Sequence, residues 1–422
     1  MTFKFPAGSS QGLAFLLLSG ALHLLVSAAW VTEARCDDID ALLEQAASRA
    51  DVQPTELCDD ATFIRRLSLD LIGRVPTEQE CLAFIDDPNR SRAVDRLLAS
   101  EEHPVFWSQL WTTMLIGRGQ ARFIEREVLR SWLQQSLQDE LPLNQMAFQL
   151  ITARGVTSLH GPVNYVAASR ADPVMTLSRT FLSVQLDCAQ CHDHPYDRWT
   201  NDDYIGMQRF YLLTKFREVS GGVAVHDDGP NQDAPLPIFL TGRRPHTAAW
   251  RQELGMMVVS SKPFSRAMVN RTWHWLCGRG IVDPVDGLSR ENPGASAELL
   301  ETLASDLRRE NFHLRSLIRR ICSSDAYQRK PPDVNTTTEV AAAQKALFAA
   351  RSIRPLLPEQ WIASVAMVLD QPAPHAAAIA TQSSEWLGTA QQSSPAGDPF
   401  AWTANTQTLI RELAGEIPPP VR

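Results

Sequence analysis

Five consecutive residues, Cys188-Ala189-Gln190-Cys191-His192, carry the most distinctive chemistry in the chain. Two cysteines three apart can each form a thioether with one vinyl group of a haem. The histidine directly after them can then reach the iron as its proximal ligand. Haem c is therefore the first expectation, with Cys188 and Cys191 as covalent anchors and His192 on the iron. The same residue types admit other chemistry. A Cys-x-x-Cys pair also serves as a redox dithiol or disulfide, although no βαβ pattern surrounds this one. Together with His192 or His194, and with Asp193, the pair has the donor types of a zinc or iron site. That reading leads to a metal-dependent hydrolase or a carbohydrate-active factor. The plainest reading is a clipped loop in a non-catalytic envelope interaction protein, with Asp193 and His194 satisfying local hydrogen bonds.

A sixth iron ligand is less obvious. Met207 lies sixteen residues after Cys191, on an expected helix capped by Asp202 or Asp203. Met175, Met256, Met257 and Met268 are further candidates, although each alone reads more economically as core filling. His194 is too close to His192 to reach the opposite haem face, and a five-coordinate iron is equally compatible.

The elements that must position these residues read as helix after helix. Asp59-Asp60 caps a segment with Ile64, Leu67 and Leu71 on one face, stopped near Gly73. Thr77-Glu78-Gln79-Glu80 is a capping box. Phe106, Trp107, Leu110, Trp111 and Leu115 mark a further face, followed by Val128, Leu129, Trp132 and Leu133. These aromatic stripes read as core packing, not as a cofactor box. Asp172-Pro173 opens a helix carrying Val174, Leu177, Phe181 and Val184 at helical spacing. Residues 217–247 are turn-rich, with short β-like pieces such as Pro237-Ile-Phe-Leu-Thr241. Helical patterning resumes near Trp250 and continues through 263–277, 296–310, 314–322, 338–352 and 359–369.

The expected fold is mainly α, with two helical domains at 38–216 and 248–369 joined by the turn-rich segment 217–247. Residues 370–422 read as a loose tail. Residues 1–29 read as a signal peptide or N-terminal anchor: Lys4 precedes an apolar run from Gly12, small residues follow at Ala28 and Ala29, and acidic residues lie beyond. Both versions make the protein exported, periplasmic or secreted, with membrane contact only where the N-terminal segment is retained. An excess of 48 acidic over 40 basic residues gives a net charge of −8, without a basic run. That balance argues against a nucleic-acid partner and leaves a redox partner or an envelope protein. No nucleophile elbow, phosphate-binding glycine loop or zinc-protease helix motif is present.

Three separated blocks, in order, carry a family resemblance. The stretch Phe181-Leu-Ser-Val-Gln-Leu-Asp-Cys-Ala-Gln-Cys-His-Asp-His-Pro-Tyr-Asp-Arg-Trp-Thr-Asn-Asp-Asp-Tyr204 resembles the signature of the planctomycete cytochrome-associated family DUF1549, and residues 60–77 resemble its opening block. Residues 270–286 are similar to its usual C-terminal companion, DUF1553, as are residues 319–327. The resemblance spans roughly residues 38–369. It implies exported proteins, often with an additional cytochrome c domain, and no established reaction. The chain departs from the pattern at Cys277, where relatives usually carry Phe, at the displaced His274, and at residues 292–298, which lack a common His. These departures weaken the case for a catalytic histidine in the second region.

Asn270, Arg271 and Arg279, with Asp283 and Asp286 beyond them, form the second polar constellation. They either line a cleft for an anionic or sugar-like ligand or lock the fold by pairing with carboxylates and backbone. The second reading is favoured because buried polar groups must be paired whatever the function. In an oxidising compartment, Cys277–Cys322 and Cys58–Cys81 are candidate disulfides.

Overall fold

The computed structural model describes residues 38–119, 122–230 and 233–368. The expected signal or anchor at 1–29 and the tail at 370–422 lie outside the described residues.

The chain is mainly α. A helix over 38–49 is followed by Asp60–Ile72, Glu78–Asp86, Arg90–Leu98, Glu102–Ile116, Arg126–Gln138 and Leu143–Thr152. Shorter helical pieces lead to the Asn201–Gln208 helix. A hairpin then precedes Trp250–Val259, Lys262–Cys277, Ala297–Arg309, Leu314–Ser323, Thr338–Ala346 and Pro358–Val368. Local chemistry sets many of these ends. The Asp59 carboxylate accepts from the Thr62 amide at 2.8 Å, and Thr77 and Glu80 form the expected reciprocal capping box. Gly73 ends its helix with φ 77, where a Cβ would collide with the Phe106 ring. That position requires glycine.

Short β structure does fall in the turn-rich segment 217–247, although not at the piece singled out. Pro237–Thr241 forms no strand; Ile238 instead donates its amide to the Gly206 carbonyl at 3.1 Å. The strands are Thr214–Val219 and Gly222–Asp227, an antiparallel hairpin turning at Ser220-Gly221. Gly155–Val156 pairs on the other edge of Gly222–Asp227. The hairpin is pinned by Asp227, which accepts from Arg251 at 2.7 and 2.9 Å, from Arg154 at 2.7 Å and from Thr214 at 2.7 Å. Burial opposes ionisation of Asp227, but its guanidinium partners outweigh this and hold its pKa below the usual carboxylate range. Arg251 also donates to the Ile151 and Ala153 carbonyls, tying the hairpin to the helices on either side.

Apolar side chains from residue 39 to residue 357 form one continuous core. Leu143–Thr152 packs on Trp250–Val259, and Arg90–Leu98 packs on Leu314–Ser323. Phe106, Trp107 and Trp111 are buried as the stripe predicted. Trp107 and Trp111 each meet Trp275 edge-on with centroids 5.6 Å apart, so aromatic contacts join the two halves of the sequence.

Candidate functional site: the Cys188–His192 turn

The approach to the turn is more contorted than a single amphipathic helix. Asp172 caps Pro173–Leu177 by accepting from the Met175 amide at 2.9 Å, as the Asp-Pro pair predicts. The backbone then widens into a π-type turn over Ser178–Leu182 and stops at Ser183, a left-handed residue with φ 53. Val174, Leu177, Phe181 and Val184 are all buried, so the expected apolar face survives the change of helical pitch.

After an extended run, residues 187–192 close one helical turn. The Cys191 and His192 amides both donate to the Cys188 carbonyl at 3.3 Å. Cys188–Gln190 is a 3-10 turn of about three residues per turn, so Cys188 and Cys191 lie one turn apart on the same side, with His192 directly after them. Ala189 points inward and is fully buried, which anchors the turn. The other three are exposed, and both thiols are free. The His192 Nδ1 donates to the Asp193 carbonyl at 2.8 Å. A carbonyl can only accept, so Nδ1 carries the proton and the Nε2 lone pair is available to a metal.

The neighbouring donors are committed locally. Asp193 Oδ1 accepts from the Asn201 amide at 2.9 Å, while Asn201 Nδ2 donates to the Ala189 and Gln190 carbonyls at 3.0 and 2.9 Å. His194 Nδ1 accepts from the Tyr196 amide at 3.2 Å, and the His194 amide donates to the Trp199 carbonyl at 2.8 Å. Among the described residues, no three His, Cys, Asp or Glu side chains converge to hold a metal ion. Met207 lies on the expected helix, but the cap is Thr200, in a reciprocal box with Asp203, and the Met207 side chain is wholly buried in the core. Met257 and Met268 are also buried, Met175 is half-buried, and Met256 is exposed.

The second polar constellation holds the first in place. Asn270 Nδ2 donates to the Val282 and Val285 carbonyls at 2.8 and 3.1 Å, and its Oδ1 accepts from the Val282 amide at 2.9 Å. Arg271 donates to the Thr180 carbonyl at 2.9 Å and also to the Arg179 carbonyl. These bonds tie it to the π-turn backbone. Arg279 does pair with Asp283, at 3.5 Å. Asp286 accepts from Arg179 at 2.8 Å and from Gln185 at 3.0 Å, and Arg179 also reaches Asp187 at 2.7 Å, directly before Cys188. Sequence reasoning singled out Asp286 but not Arg179, Gln185 or Asp187. Their positions 101 and 107 residues from Asp286, for Gln185 and Arg179, leave no local signal. Behind the turn, Tyr204 donates to Asp172 at 3.2 Å, and burial, reinforced by Asp172, pushes its pKa up to about 12.

The suggested pairings Cys277–Cys322 and Cys58–Cys81 are not formed: all four are free thiols. Burial pushes Cys277 up to about 12 and raises Cys322 as well, which makes both protonated core side chains.

Residues 38–215 match PSCyt2, a protein of unknown function (DUF1549), and residues 250–395 match PSD1, a protein of unknown function (DUF1553). Residues 38–215 are thus a DUF1549 region and residues 250–395 a DUF1553 region, in tandem. No curated protein and no solved structure matches it. The reactive turn therefore lies in the DUF1549 region. The residues that brace it, Asn270, Arg271 and Asp286, lie in the DUF1553 region.

Proposed function

We propose that this DUF1549–DUF1553 protein is exported and binds haem c at Cys188, Cys191 and His192, serving in electron transfer to a redox partner or envelope protein. The observation that carries this reading is the single helical turn with two free, exposed thiols on one side, followed directly by an exposed imidazole. The donor set suits the group. Both sulfurs are accessible for thioether formation, and the Asp193 carbonyl selects the tautomer whose Nε2 can bind iron. When bound, haem would supply a one-electron couple. The protein's own part is to hold the turn: Ala189 packs inward, Asn201 fastens the backbone, and Arg179 ties Asp187 to Asp286. A preassembled zinc or iron site has less support, because Asp193 and His194 are turned to local hydrogen bonds.

The test is full-length protein made in a host with a haem-attachment system. Wild type is expected to retain porphyrin through acid-acetone extraction. Cys188→Ser with Cys191→Ser is expected to retain none, because oxygen does not replace the two thioether sulfurs. His192→Ala keeps the porphyrin but shifts its Soret and visible bands. Wild type that carries stoichiometric metal and no porphyrin would contradict the reading.

A further inference from the structure

The chain leaves the reactive turn and, three residues after His192, begins to wall a cavity of about 540 Å³. That volume lies in the range of pockets that bury a small organic ligand. The cavity is built from both family regions. Residues 195–199 and Leu182 and Val184 come from the first, residues 239–241 lie between, and Pro263, Arg266 and residues 288–291 belong to the second. Its floor is apolar, with Leu182, Val184, Trp199 and Phe239 almost fully buried.

The mouth differs from the floor. Tyr196 is 79% exposed there, far more than a tyrosine needs for packing alone. Beside it stand Asp197, Arg198, Arg290 and Glu291. Among the described residues, none of these four has an ion-pair partner, and only Asp197 has a hydrogen bond, from its neighbour's amide. The Arg198 guanidinium sits over the Trp199 ring, 4.3 Å from its centroid, a contact that holds the group in place without using its N–H donors. The rim thus offers carboxylate acceptors and guanidinium donors together, and Thr241 and Ser289 also line the cavity.

We propose that this cavity binds a neutral oligosaccharide. Every sugar hydroxyl both donates and accepts, so a rim of mixed sign can satisfy it from either side. An organic anion would meet Asp197 and Glu291 as well as the arginines. A purely apolar ligand would make no use of the rim's hydrogen-bonding groups. The exposed Tyr196 ring supplies the flat surface on which a sugar's C–H face stacks. The inference does not require haem at the neighbouring turn.

The experiment titrates the full-length protein with cellohexaose, xylohexaose, mannohexaose, laminarihexaose and maltohexaose, followed by tryptophan fluorescence and calorimetry. At least one is expected to bind with one site per chain and to perturb tryptophan emission. Tyr196→Ala should weaken that binding at least tenfold. Glu291→Gln and Arg290→Gln should weaken it less, and all three variants should keep the wild-type circular dichroism. Binding must survive Cys188→Ser with Cys191→Ser, which separates it from any loss of haem. Absence of binding by all five sugars overturns the proposal, as does binding indifferent to Tyr196. Tight, salt-sensitive binding of 8-anilinonaphthalene-1-sulfonate with no sugar binding also overturns it, in favour of an organic anion.

Discussion

Asn270 and His192 both sit in polar, motif-like sequence, yet their surroundings are opposite. Asn270 is buried, with three hydrogen bonds to the 282–285 backbone. His192 is exposed, holds one bond from Nδ1 to its neighbour's carbonyl, and leaves its other nitrogen free to act. Polar residues spent on internal bonds mark architecture, whereas polar residues left accessible on an anchored turn are open to a ligand. The DUF1553 block thus acts on the site mechanically, through Arg271 and Asp286, without entering it.

The comparison breaks first at Asn270. Asn270→Ala would strand two carbonyls and an amide inside the fold, and about 4 kcal/mol of stability should be lost. Urea unfolding checks this; a loss near zero would mean that the block does not brace the fold.

The buried side also has a pH signature. His103 is almost fully buried, donates from Nδ1 to the Leu71 carbonyl at 2.9 Å, and is depressed by burial to about 4. The unfolded chain takes up this proton near pH 6.5, before the folded chain does. Stability should therefore be complete above about pH 6.5 and fall as the pH drops toward 4, by about 3 kcal/mol. His103→Phe should flatten that window. Asp40 works with the opposite sign: burial raises it to about 6, so its contribution is present below the usual carboxylate pKa and is lost as the pH rises through 6. Melting curves at pH 4, 5, 6 and 7 for wild type and His103→Phe separate the two.

Arg179 stands between the two regions. Arg179→Gln removes charge-assisted bonds to Asp187 and Asp286 and should cost about 2 kcal/mol. A shift in haem absorption in the same variant would show that the brace also tunes the turn; unchanged spectra would confine it to stability.

How much of this was legible in the sequence follows from the range of each interaction. Caps at Asp59, Thr77 and Asp172 act within three residues, so their signals are local and the structure keeps them. The burial of Val174 to Val184 was legible as a face. The π-turn and the left-handed Ser183 were not, because the 270–288 segment, through Arg271 and Leu288, holds that backbone from a distance. Short β pieces within 217–247 were legible, but their place was not: the first strand is mostly polar and exposed, and Asp227 fixes the hairpin through Arg251, a tertiary contact. At the site, Cys188, Cys191 and His192 were readable from spacing alone. That both thiols are free and exposed, and which imidazole nitrogen carries the proton, was not, because burial and hydrogen bonding are set by the folded chain.

The smallest effect on stability should come from the residues on which the proposed function rests. Cys188→Ser with Cys191→Ser alters only exposed side chains and should change unfolding free energy by less than about 0.5 kcal/mol. In that same pair of proteins, covalently retained haem tests the account most directly. After expression with a haem-attachment system, the pyridine haemochrome spectrum of extracted protein should show about one haem per wild-type chain and none on the double variant. Wild type without porphyrin, or a double variant that still carries it covalently, would contradict the account.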